Sequence, residues 1–260
     1  MIRSELLDGV RWLTLDRPEA LNAFNTDQFE LLAELFTEAR IDENTRVVVL
    51  TGNGRAFSAG ADLSGTAPAR PSYKFGFQGC IDVIIDFPKP FIVAANGLGV
   101  GVGATILGLA DQAFMAETAR MRCPFSALGL TAEACSTYTF PRLMGPQAAA
   151  RFLMGAEWWT SEQCKAAGLV LDVFPDEVFI AEVTERAKNL AQLPIESLIA
   201  TKALLMEPHR EAMKVANRAE NAALASLRGG PANIEALNAF REKREPNFAS
   251  ISTNRAAGHE

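Results

Sequence analysis

One stretch of this chain sets an acid among small and apolar residues. GLTAEACSTY, Gly129 to Tyr138, holds a single carboxylate, Glu133, and no basic residue lies between Arg122 and Arg142 to pair with it. Such a group is either a solvated charge at a helix start or a lone proton carrier. Apolar neighbours such as Leu130, Ala132 and Ala134 would raise its pKa toward neutrality, where a general base works best. Two glycine-rich runs could serve such a base. GNGRAFSAGADL (Gly52 to Leu63) and AANGLGVGVGATILG (Ala94 to Gly108) each follow an apolar run, and small residues let backbone N–H groups converge on an anion. Two turns giving one donor each would make an oxyanion hole for an enolate or tetrahedral oxyanion derived from a thioester or related carbonyl. The plain alternatives are helix–strand packing for the second run and a helix cap for Asp62 in the first. Neither run is a P-loop, because the Lys-Ser/Thr ending is missing. A dinucleotide fingerprint would belong to the first strand–helix unit, and the second run comes too late for that.

Composition narrows the choices. The chain has 260 residues, enough for a large domain, with 48% hydrophobic and 22% charged residues and a net charge of -6, which argues against a nucleic-acid binder. Cys80, Cys123, Cys135 and Cys164 are widely spaced, so packed, reduced thiols are expected rather than a zinc site or a redox pair. Of two histidines, His259 is in the tail and His209 follows Pro208 in a polar helical region, a poor basis for a His-dependent triad. The start lacks a signal-peptide pattern, no run reaches the ~20 apolar residues of a membrane span, and RAAGHE is not a peroxisomal tripeptide. A cytoplasmic enzyme with no membrane or nucleic-acid partner and no metal is expected.

The elements that must position these residues read as alternating strands and helices. Val10–Leu15 alternates. Val47–Leu50, Phe91–Ala94 and Ala113–Ala116 are short continuous apolar runs, suited to strands covered on both faces. Thr26 is expected to cap a helix carrying Phe29, Leu32, Leu35 and Phe36, and Asp62 to open another. Thr160–Gln163 is a capping-box pattern for a helix to Ala167 that Gly168 stops, followed by a strand over Leu169–Val173. Beyond Val178 the chain reads as helix, broken at Pro194, Pro208 and Gly229-Gly230-Pro231, with a frayed tail from about Ala249. The fold class is α/β, with an α/β core over 1–195 and a helical oligomerisation region over 196–260.

Several of these motifs together resemble the crotonase superfamily of enoyl-CoA hydratases and isomerases: RPEALNAFN (Arg17 to Asn25), AFSAGADL, ANGLGVG, TSEQCKAAGLVLDVFPD (Thr160 to Asp176) and FREKREPNF (Phe240 to Phe248). The resemblance runs over nearly the whole chain. It implies a spiral of ββα units with a helical trimerisation region, assembled as a homotrimer or a dimer of trimers. It also implies an acyl-CoA thioester as substrate, with coenzyme A arriving as part of that substrate and no separate cofactor. By motif position the oxyanion-hole donors are the N–H groups of Ala61 and Val102. The resemblance places the substrate around Ala20, Leu21, Ala23, Ala59, Asp62, Leu63 and Gly103, and near Lys243, for which a solvated charge in REKRE is an equal alternative.

The acids separate the chemistries. Hydratases of this family use two glutamates. At those two motif positions this chain has Thr105 and, in Cys123-Pro124-Phe125, Phe125. Neither carries a proton near neutral pH. FSALGLTAEACSTYTFPRLMG instead resembles the isomerase branch, whose single catalytic glutamate falls on Glu133. The implied activity is a Δ3-Δ2-enoyl-CoA isomerase of fatty-acid metabolism. The alternatives are hydration, another reaction of the same scaffold, or a catalytically silent acyl-CoA-binding protein. The branch usually has Pro before the acid and Gly after it, where this chain has Ala132 and Ala134.

Overall fold

The computed structural model describes residues 1–62 and 73–251. Its strands among these residues are β1 (Ile2–Leu7), β2 (Val10–Leu15), β3 (Val47–Gly52), β4 (Ala56–Ser58), β5 (Phe91–Ala95), β6 (Leu98–Val100), β7 (Gln112–Ala116), β8 (Arg120–Arg122), β9 (Trp158–Thr160) and β10 (Asp172–Phe174). Six form one sheet in the order β1-β2-β3-β5-β7-β10, and four form a second, β4-β6-β8-β9. The first sheet is parallel apart from the β1–β2 hairpin, and the second apart from β9. Each long strand of β3, β5 and β7 is followed by a short one in the other sheet, so the chain winds as repeated ββα units.

The helices are α1 (Thr26–Ile41), α2 (Gly76–Ile85), α3 (Val102–Thr105), α4 (Ser136–Met144), α5 (Pro146–Gly155), α6 (Ser161–Ala167), α7 (Phe179–Ala191), α8 (Ile195–Leu227) and α9 (Pro231–Glu242). Val47–Leu50 and Phe91–Ala95 are fully buried, as continuous apolar strands require. Phe36 of α1 meets Phe87 and Phe91 edge-on at 5.0 Å. Among the described residues no helix is long and apolar enough to cross a membrane.

The structure corrects several boundaries. Asn25, not Thr26, caps α1; its side chain accepts from the Gln28 N–H and Gln28 reaches back in a capping box, which Thr at the next position cannot form. The Thr160 box and the left-handed Gly168 stop stand as expected. The strand after Gly168 begins at Asp172, because Leu169 and Val170 turn inward as buried packing residues. Pro208 does not break α8. A proline inside a helix costs ~3 kcal/mol, and α8 is fixed on both sides of it. Lys202 donates to Asp111 and the Lys89 carbonyl, and Lys214 donates to Asp86. The helix expected to follow Asp62 directly, and most of the expected frayed tail, lie outside the described residues. β1 escapes a reading by hydrophobic pattern because five of its six residues are exposed. All four cysteines are buried free thiols.

Candidate active site

Sheet register brings the two glycine turns together. β4 and β6 pair in parallel with Ser58 opposite Gly99, and two residues beyond each come Gly60 and Gly101. Both have positive φ, +86° and +54°, a backbone that glycine adopts without a Cβ clash. A Cβ on Gly60 would stand 2.6 Å from the Val100 carbonyl, and one on Gly101 would stand 3.9 Å from Gly60 Cα and 3.4 Å from Glu133 Oε1. The two turns and the Glu133 carboxylate therefore adjoin one another.

The N–H groups next to these glycines are left out of the local ladders. The bridge between Phe24 and Ala61 is made by the Gly60 carbonyl and the Asp62 N–H, which leaves the Ala61 N–H aside. Val102 opens α3, where Ala104 and Thr105 are the first to donate back, to the Gly101 carbonyl. First-turn N–H groups have no intrahelical partner. The Val102 N–H approaches the Glu133 carboxylate instead.

Glu133 follows β8 by way of a short 3-10 turn, Ser126–Leu128. Gly129 has φ +64°, and a Cβ there would meet the Ala232 and Asn233 backbone at 2.6 Å, so the start of α9 rests on this loop. Part of Glu133 stays open, but Ala132, Ala134 and Cys135 around it are buried. Desolvation pushes the Glu133 carboxyl up from 4.5 to about 7; the negative charge of Glu220 adds to this, and Arg228 and the Val102 N–H oppose it. Ala134 and Cys135 are both left-handed, at φ 57° and 50°. The glycine usual after the acid thus has a backbone reason, and this chain forces an alanine into the same conformation.

The other expected contacts divide. Leu21 and Asn22 are left-handed at φ 50° and 56°, the Leu21 carbonyl accepts from the Ala59 N–H at 2.8 Å, and Ala20, Leu21 and Ala23 therefore lie beside the first turn. Asp62 pairs with Arg17 at 3.1 Å, and the helix it is expected to open lies outside the described residues. Gly103 is buried, and a Cβ on it would stand 2.4 Å from the Ser58 carbonyl, so it lets α3 press onto β4. Leu63 lies outside the described residues. Lys243 is exposed and left-handed at the end of α9, and nothing in the described residues ties it to the two turns. Thr105 is wholly buried and Phe125 nearly so. Asp111 is structural, accepting from the Phe91 N–H and Lys202. Trp159 packs on Phe152.

Sequence reading misses three residues here. Arg17 joins the Ala23 carbonyl, Gln28 and Asp62 through one guanidinium. Asn22, fully buried, donates to the Asn53 and Ala56 carbonyls and accepts from the Arg17 N–H. The RPEALNAFN motif marked both without showing these bonds. Glu220, on α8, accepts from the N–H groups of Cys135 and Thr137, and nothing in its helical surroundings signals this.

The chain is thus a ββα spiral whose two strand-end turns adjoin a half-buried carboxylate. The chain matches the enoyl-CoA hydratase/isomerase family over residues 5–251 and belongs to it. It is 36% identical over 224 residues to enoyl-CoA delta isomerase 2 of Homo sapiens, covering 82% of this chain and 56% of that protein; the chain thus spans little more than half the length of that relative. An enoyl-CoA hydratase/isomerase structure from Pseudoalteromonas atlantica superposes with a TM-score of 0.91 at 31% identity, covering 95% of this chain and 99% of that one. An enoyl-CoA hydratase structure from Mycobacterium marinum gives 0.76 at 47% identity, covering 80% and 99%.

Proposed function

We propose that the chain shifts the double bond of a 3-enoyl-CoA thioester to C2–C3, with Glu133 as its only proton carrier. The observation that carries this is one acid beside the two turns, with Thr105 and Phe125 at the positions where a hydratase needs its two. The Glu133 carboxylate takes a proton from C2, and the electron pair moves into the thioester carbonyl. The resulting dienolate oxygen accepts from the Ala61 and Val102 N–H groups. Glu133 then returns the proton to C4, and the carbonyl re-forms with the alkene between C2 and C3. Atoms and charge balance with no cofactor; coenzyme A is carried on the substrate. A pKa of about 7 suits both halves, since the group must take and give a proton at the same pH.

On this reading the acyl-CoA lies along Ala20, Leu21, Ala23, Ala59 and Asp62. Oligomerisation, as a trimer or a dimer of trimers, falls to the C-terminal helices, where Leu204, Leu205 and Phe240 are 72%, 66% and 74% exposed. The test offers 3-enoyl-CoA and 2-enoyl-CoA separately to the wild type. Formation of 2-enoyl thioester from the first, with little hydration of the second, is expected. Hydration as the faster reaction would replace this reading with a hydratase's, and thioester binding without turnover would make the chain a silent binder.

A further inference from the structure

We propose that Glu220 of α8 is the positioning residue for Glu133: it clamps the strained turn behind the base and places a second negative charge beside it. The inference rests on the reading of Glu133 as the base. Glu133 is followed by Ala134 and Cys135, two non-glycine residues in the left-handed region, each at a cost of ~1–2 kcal/mol. Such a turn persists only where its surroundings hold it. The Glu220 carboxylate accepts from the Cys135 N–H at 2.6 Å, the Thr137 N–H at 2.9 Å and the Thr137 hydroxyl at 2.6 Å. It arrives from 83 residues further along the chain, is 5% exposed, and has no cation paired with it among the described residues. Burial pushes the Glu220 carboxyl up, and the bonds from Thr137 and Cys135 oppose this; the N–H groups and dipole at the start of α4 favour the anion.

The groups that face the pair set its electrostatics. Toward Glu133 these are Glu220 from α8, Arg228 just past the end of α8, the Val102 N–H from α3, and Cys123 after β8. Around Glu220 they are Cys135 and Thr137, with Asp82 of α2 beyond Cys135. Glu220 and Cys123 can add negative charge near Glu133, Arg228 opposes, and burial holds the Cys123 thiol neutral. A neutral residue at 220 could cap α4 but would leave Glu133 more acidic and its turn less firmly held.

Two variants and two readouts test this. In the ligand-free protein, the carboxyl 13C signal of Glu133, assigned by its loss in Glu133→Gln, is followed against pH. In Glu220→Gln the midpoint is expected to fall by roughly half a pH unit or more. In the same variant kcat on 3-enoyl-CoA is expected to fall about tenfold or more while KM stays within about twofold, the pattern of a displaced base. Glu220→Asp keeps the charge and shortens the reach, so the midpoint should hold while kcat falls. A folded Glu220→Gln with unchanged midpoint and kcat reduces Glu220 to a helix cap and overturns the proposal. If that variant does not fold, Glu220→Asp decides: an unchanged kcat overturns it. If the wild type turns over no enoyl thioester, the reading of Glu133 as base fails, while the wild-type and variant midpoints still show whether the two carboxylates are coupled.

Discussion

At the residue scale the proposed chemistry rests on one carboxylate and two N–H groups, and one of these, the Val102 N–H, also approaches the carboxylate in the ligand-free chain. Val102 is the first residue of α3, a position where proline is tolerated because its N–H has no helical partner. Val102→Pro should therefore keep the fold and lower kcat about 10²–10³-fold, the usual loss of an oxyanion-hole donor; a circular dichroism spectrum beside the rate checks both halves. Glu133 also leaves a trace in stability. Its carboxyl is neutral in folded and unfolded chains below pH 4.5. As pH rises toward about 7 the unfolded chain ionises first, so the folded state binds more protons and stability falls across that window. Glu133→Gln removes the effect. Its stability relative to wild type should grow between pH 4.5 and 7 and level off above, by on the order of 3 kcal/mol, as urea unfolding at several pH values would show.

At the scale of elements the site is a product of register. β4 and β6 bring Ser58 opposite Gly99, and the Ala61 and Val102 N–H groups follow at the same distance beyond. Gly103 keeps this arrangement close. Gly103→Ala would set a Cβ 2.4 Å from the Ser58 carbonyl, and overpacking of this kind costs ~1–3 kcal/mol. Because α3 must lift off β4, kcat should fall along with the melting temperature. The central strands were legible in the sequence, since continuous apolar runs such as Val47–Leu50 suit few other environments. Glu133 and both turns were legible from residue types and from their likeness to a family pattern. What stayed hidden has long-range causes. The exposed β1 carries no inward face to betray it, α8 survives Pro208 through contacts with distant residues, and Glu220 acquires its role only when α8 folds back over α4.

At the scale of the whole molecule the C-terminal helices close the site from behind. Asn233 of α9 donates to the Leu128 carbonyl at 2.8 Å on the approach to Glu133, and Glu220 of α8 holds the departure from it. The stretch that carries Glu133 is thus fixed at both ends by residues from the last third of the chain. The measurement that bears most directly on the proposed reaction is kcat for 3-enoyl-CoA in wild type and Glu133→Gln, side by side near pH 8, where the wild-type base is ionised. A fall of about 10²–10⁴-fold, with thioester binding retained, is expected. A rate within a few-fold of wild type would contradict Glu133 as the proton carrier, and with it the single-base isomerisation proposed for this chain.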